Sequence, residues 1–117
     1  MIEQIIIDYL AAHGFDAYAE EPAEPQAPPY FVVQKTGGGG SSKLRRATVA
    51  VQSYGATMHG AAASNTAVIG LLSGMTALDE IAAVSLNSDY NYTDTATKRY
   101  RYQAVFDITY YETEANA

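Results

Sequence analysis

The stretch YRYQAVFDITYY, residues 100–111, alternates in character at every second position. Tyr100, Tyr102, Ala104, Phe106, Ile108 and Tyr110 fall on one side. Arg101, Gln103, Asp107 and Thr109 fall on the other, and Arg99 continues that second side. Successive side chains of a strand point to opposite faces, so this period of two predicts a long β-strand with one buried face. A sheet with one apolar side must be covered by another layer, and the rest of the chain has to supply it.

Working outward, IAAVSLNS (81–88) predicts a second strand, and the polar series Asp89-x-Asn91-x-Thr93-Asp94 reads as an exposed loop leading to Lys98. From Met58 to Ser73 the period changes: Ala61, Ala62, Val68, Ile69 and Leu72 line one side of a helix that Gly74 can end. Its alanines and glycines suit close approach to a neighbour. RRATVAVQSY (45–54) is a strand with Ala47, Val49 and Val51 on one face and Arg46, Thr48 and Gln52 on the other. YFVVQK (30–35) is another, with Phe31 and Val33 facing together. Between these two, TGGGGSS (36–42) reads as a flexible loop closing a hairpin.

Prolines at 22, 25, 28 and 29 remove backbone donors and fix an extended coil. Before them FDAYAEE (15–21) alternates as a half-buried strand. At the start Ile2, Ile5, Ile6, Tyr9 and Leu10 form one helical stripe over residues 2–13, with His13-Gly14 as its stop. The order is therefore α-β-β-β-α-β-β within a single domain, residues 1–117. It implies an α+β fold, a mixed or antiparallel sheet of about five strands with both helices packed on one face.

At 117 residues the chain can bury roughly two-thirds of its unfolded surface, so it can fold without a metal or disulfide. Cysteine is absent, which removes disulfides, thiolate zinc sites and cysteine nucleophiles. Glu3 and Asp8 stand where a secretory leader carries bases and an unbroken apolar run, so a soluble cytoplasmic chain is expected. Net charge is −6 and uneven: six acids and no base precede residue 35, while the bases group as Lys43/Arg45/Arg46 and Lys98/Arg99/Arg101. An acidic side and a basic side would suit copies meeting head to tail.

Tests for chemistry are mostly negative. A calcium loop begun at Asp89 needs glycine at its sixth position and glutamate at its twelfth, where this chain has Asp94 and Tyr100. KRYRYQAVF interleaves bases with aromatics like a single-strand binder, but strand geometry points Arg99 and Arg101 away from Tyr100 and Tyr102. An acidic chain also approaches phosphate at an electrostatic cost, so direct nucleic-acid binding is not expected. GGGGSSKL lacks the Gly-Lys-Ser/Thr of a phosphate loop, and neither His13 nor His59 has a partner at a catalytic spacing. No enzyme, metal or cofactor is expected.

Two segments carry a resemblance: FVVQKTGGGGSSKLRRATVAVQSYGATMHGAAASN (31–65) and VSLNSDYNYTDTATKRYRYQAVFDITYY (84–111). They are similar to tail-completion proteins of long-tailed bacteriophages and prophages, the tail terminators and minor tail or capsid proteins. The shared features are a proline-rich approach to a KTGG strand end at Lys35–Gly38, an AIQSY-like strand at Ala50–Tyr54, and closing residues at Asn87–Asp94 and Tyr100–Ile108. The likeness covers most of the chain but is weak over residues 15–28 and after Tyr111, and the GGGGSS run is richer in glycine than that pattern.

The resemblance implies a structural virion protein at the tail or neck, assembled in the bacterial host cytoplasm. It would form a homo-oligomeric ring, generally a hexamer, seated on the major tail tube protein. The ring would stop tube growth and present a surface to the head–tail connector protein, with no membrane involved. The subunit or tube interface is expected at Lys43, Arg45, Arg46, Asp89, Tyr90, Asn91, Tyr92, Asp94, Lys98, Arg99 and Arg101. A docking loop is expected at Gly37, Gly38, Gly39, Gly40, Ser41 and Ser42. A connector or other minor capsid role is the nearest alternative, and a small ligand- or nucleic-acid-binding module is the reading of a different class.

Overall fold

The computed structural model of the protein describes residues 1–24 and 26–112; Pro25, one of the four prolines of the coil, lies outside the described residues. In chain order the elements are α1 (Ile2–Ala12), β1 (Ala17–Tyr18), β2 (Tyr30–Gly40), β3 (Leu44–Gly55), α2 (Met58–Ser73), β4 (Ile81–Asn91) and β5 (Tyr100–Tyr111). They build one mixed sheet in the order β1-β2-β3-β5-β4, with β1 parallel to β2 and every other pair antiparallel. The fold is α+β, with both helices on one face.

The buried stripe of α1 (Ile2, Ile6, Leu10) and that of α2 (Val68, Leu72) join Phe31, Val33, Val49, Val51, Phe106 and Ile108 in a single apolar core. Thus the twelve-position alternation of β5 does place Ala104, Phe106, Ile108 and Tyr110 inside. Helix α1 ends where Gly14 takes φ 84, a conformation that costs residues with a Cβ. Helix α2 starts on Thr57, whose hydroxyl accepts the Gly60 amide at 2.9 Å. Its first turn lies so close to β3 that a Cβ on Gly55 would sit 2.4 Å from the Ala61 nitrogen. After α2 a 3₁₀ turn at Met75–Ala77, not expected from the sequence, plugs the end of the core with the fully buried Met75.

Three expectations about loops and strands are corrected. The strand expected at residues 15–21 shrinks to Ala17–Tyr18, because the proline-rich segment that follows is a crossover joining two parallel strands, with no hairpin possible there. Gly37 to Gly40, expected to be loop, are strand residues paired with Thr48, Ala47, Arg46 and Arg45. Ladder hydrogen bonds are made by backbone alone, so glycine can join them. The true turn is Ser41–Lys43: Gly40 takes φ 98, and Ser41 Oγ accepts the amides of Lys43 and Leu44 at 3.3 and 3.0 Å. Asp89, Tyr90 and Asn91 are likewise strand rather than loop, paired with Ala104, Gln103 and Tyr102. The β4–β5 hairpin is closed by an Asp94–Arg99 bridge, which leaves Thr95–Lys98 as its tip.

Candidate functional site

Away from the helices, the other face of the sheet carries Tyr30 on β2, Tyr54 and Gln52 on β3, Arg101 and Gln103 on β5, and Tyr90 on β4. Register brings them together, since Tyr30 pairs with Tyr54, Tyr54 with Arg101, Gln52 with Gln103 and Gln103 with Tyr90. The Tyr30 and Tyr54 rings stack at 4.6 Å, nearly parallel, and Tyr18 meets Tyr30 edge-on at 6.1 Å. Tyr30, Val32 and Tyr54 thus make a second, small buried cluster.

Two guanidinium groups sit over these rings. Arg101 lies 4.6 Å from the Tyr92 ring centre and 5.8 Å from that of Tyr54. Its Nε donates to the Tyr92 carbonyl at 2.7 Å and its Nη1 to the Tyr54 hydroxyl at 3.1 Å. Arg99 lies 5.2 Å from the Tyr54 ring centre, donates through Nη2 to the Tyr30 hydroxyl at 2.8 Å, and forms an ion pair with Glu21. Both partners of that pair are about two-fifths exposed (41% and 38%), so water screens it and it adds at most about 1 kcal/mol. The Tyr54 hydroxyl is 3.4 Å from Gln52 Oε1 and 3.5 Å from Glu21 Oε1 and donates to one of them. An amide relay continues from Gln52 Nε2 to Gln103 Oε1 (2.9 Å) and from Gln103 Nε2 to the Tyr90 hydroxyl (2.6 Å).

Burial pushes the Tyr30 phenol above its ordinary pKa, outweighing the hydrogen bond and charge of Arg99. Arg99 is held further protonated: burial opposes its charge, but the Tyr30 hydroxyl and the Glu21 carboxylate more than compensate. Beside the cluster opens a cleft of about 520 Å³ lined by Glu21, Gln26, Tyr30, Tyr54, Lys98 and Arg99 among others. At the hairpin tip, Asn91 Oδ1 accepts the Thr93 amide at 2.9 Å and Asp94 Oδ1 the Ala96 amide at 3.1 Å. The acid–amide series of the sequence therefore shapes a turn. Bonds from Thr97, then from the Ala96 amide, hold the Asp94 carboxyl below its usual range.

The structure brings some expected interface residues together and separates others. Tyr90, Tyr92, Asp94, Lys98, Arg99 and Arg101 gather at one end of the sheet, with Asp89 and Asn91 beside them on β4. Lys43, Arg45 and Arg46 stand at the opposite end, because Leu44 pairs with Tyr111 while Gly55 pairs with Tyr100. Arg46 and Arg101, the facing members of the two basic groups, are thus about 26 Å apart along β3, eight residues at about 3.3 Å each. A single basic side facing an acidic one is corrected: Glu21, from the acidic segment, already pairs with Arg99 in the same chain. Sequence reasoning did not place Glu21, Tyr30, Tyr54 or Gln103 in the expected interface. Alternation puts Gln103 with Arg101, and Tyr54 with Gln52, on the outward sides of their strands, but only register reveals that these strands are neighbours.

No family model and no curated protein sequence matches the chain. Among the described residues, no group of three or more His, Asp or Glu side chains is placed to hold a metal ion, and no helix is long and apolar enough to cross a membrane.

Proposed function

We propose that this chain is a structural subunit of a long-tailed phage or prophage, one that assembles into a ring, caps the tail tube and offers a surface for head attachment. The docking part of this reading is supported by one observation, the guanidinium of Arg101 fixed at the surface between the rings of Tyr54 and Tyr92. Tyrosine and arginine are the residues that anchor protein interfaces, and here they are ordered before any partner arrives, which lowers the entropy cost of binding. The cluster offers donors and aromatic faces, chemistry suited to holding a partner. The tail-cap assignment itself is supported by the resemblance of residues 31–65 and 84–111.

Particles assembled without this chain, viewed in negative stain, provide the test. Overlong, headless tails are the expected result. Tails of normal length that fail to join heads would move the chain to the connector, and intact infectious particles would overturn both roles. Within the interface, Lys98 is the informative residue for charge reversal, since it is exposed at the hairpin tip. Arg99 and Arg101 are tied into their own chain, so reversing them disturbs the fold first.

A further inference from the structure

We infer that copies of this chain join edge to edge, β4 of one adding antiparallel to the distal half of β2 of the next, so that one sheet runs on through the ring. The inference rests on the ring reading above and names the contact that would build it.

Among the described residues the sheet ends in two unlike free edges. On one side β4 pairs with β5 alone among the described residues. The Tyr92 N–H is bonded to the Arg101 carbonyl inside the hairpin. Antiparallel pairing alternates, so Asp89 and Asn91 turn their N–H and C=O groups outward, where a further strand would meet them. On the other side β1 covers only Phe31 and Val32 of β2, which leaves Val33 to Gly40 without a neighbour on that edge among the described residues.

Natural edge strands are usually protected by lysine, proline or bulges. Strand β4 contains no lysine, arginine or proline and exposes Leu86 and Tyr90. Its two bulges still leave the runs Ala83–Leu86 and Ser88–Asn91 regular. Strand β2 carries a run of glycines that its own fold explains only in part. Gly40 needs its positive φ, yet a Cβ on Gly39 would meet nothing within 4 Å and one on Gly37 would make ordinary contacts. Bare glycine on an edge leaves room for a neighbour's large side chain to lie across it, the pairing that rescues edge glycines with aromatics. Tyr90 is of that kind and stands on the same outer face as Gly37 and Gly39.

Charge selects the partner. Asp79, Glu80 and Asp89 lie on or beside β4, whereas Lys35 is on β2 and Lys43, Arg45 and Arg46 are at its hairpin. Two β4 edges facing each other would bring acids together; β4 against β2 brings acid to base. The strand directions agree with a ring. Starting from β2, successive antiparallel neighbours leave β4 running opposite to β2, so a copy rotated about an axis along the strands presents β2 antiparallel to β4. Because the two edges differ, the contact is heterologous and closes when the rotation permits.

The absence of cysteine makes a direct test possible. Gly39→Cys would be combined in turn with Ser85→Cys, Asn87→Cys or Tyr90→Cys, and the concentrated protein oxidised mildly. Within one chain these positions are three strand spacings apart, about 14 Å, and a disulfide cannot span more than about 7 Å between Cα atoms. Every 39-to-β4 bond is therefore between copies. We expect a ladder of linked species ending in a closed ring for at least one pair, and monomer for each single variant. Dimers from the single β4 variants would show like edges pairing and overturn the proposal, as would no linkage at any pair. Tail length separates the two readings: if tails overgrow without the chain but no pair links, the cap stands and the edge contact falls. Linked rings with tails of normal length would keep the contact and remove the cap.

Discussion

The helix-covered face of the sheet and its outer face bury side chains by different chemistry. Under the helices, Phe106, Val49, Val51 and Ile108 meet Ile6, Leu10, Val68 and Leu72, and the contacts are apolar and without direction. On the outer face Tyr30 and Tyr54 are just as buried, but each is oriented by hydrogen bonds to an arginine. The first face holds the fold through the area removed from water. The second contributes less per residue but fixes positions, because a guanidinium over a ring and a hydroxyl at bonding distance tolerate little displacement. On the proposed reading, a surface that meets a partner benefits from that second kind of order.

The strongest way to break this contrast is at the apolar face. Phe106→Ala should cost about 3–5 kcal/mol and lower the midpoint of thermal unfolding by many degrees. A shift comparable with that of an outer-face variant would mean the two faces share the load. Next comes Gly55→Ala, whose added carbon would meet the backbone of Gly60 and Ala61 at the start of α2. We expect a loss of about 1–3 kcal/mol, read by urea denaturation; an unchanged midpoint would show that α2 can slide off β3 freely.

On the outer face Arg101→Ala should cost about 1–2 kcal/mol, and Arg101→Lys should recover little, since lysine lacks the planar fork that reaches both the Tyr92 carbonyl and the Tyr54 hydroxyl. Full recovery by lysine would reduce Arg101 to a point charge. Smaller still is the effect of alkali. The raised phenol of Tyr30 means its stabilising contribution is complete below the ordinary value of 10.0 and is lost as pH rises through the folded-state pKa. Tyr30→Phe should therefore flatten the fall in melting temperature above that pH, and parallel curves for the two proteins would contradict this. At acid pH the sign reverses: Asp94, with its depressed pKa, holds the hairpin tip above the ordinary carboxylate range and releases it as pH falls through its folded value. Amide exchange at Ala96 and Thr97 should quicken there while core amides stay protected.

Much of this architecture is legible in the residues. Period two in β5 and β3, the helical stripes of α1 and α2, and the stop at His13-Gly14 are local patterns, and a local pattern needs no knowledge of what lies opposite. The glycine run misled for the same reason: Gly37 to Gly40 carry no side-chain pattern, and only pairing with residues 45–48 makes them strand. The grouping of the residues expected at an interface was legible in part. Lys98, Arg99 and Arg101 do stand together, but their partners Glu21, Tyr30 and Tyr54 come from positions 45 or more residues away, brought close by register and by a proline-rich crossover. The sequence by itself determined which residues are apolar, where the two helices and the central stretches of the long strands lie, and which face of each must be buried. Tertiary structure decided the strand order β1-β2-β3-β5-β4, and with it which aromatic meets which arginine, which basic groups end up at opposite ends, and which edges are left free among the described residues. Hydrophobic periodicity is encoded along the chain, whereas neighbours across a sheet are chosen by the closing of the whole core.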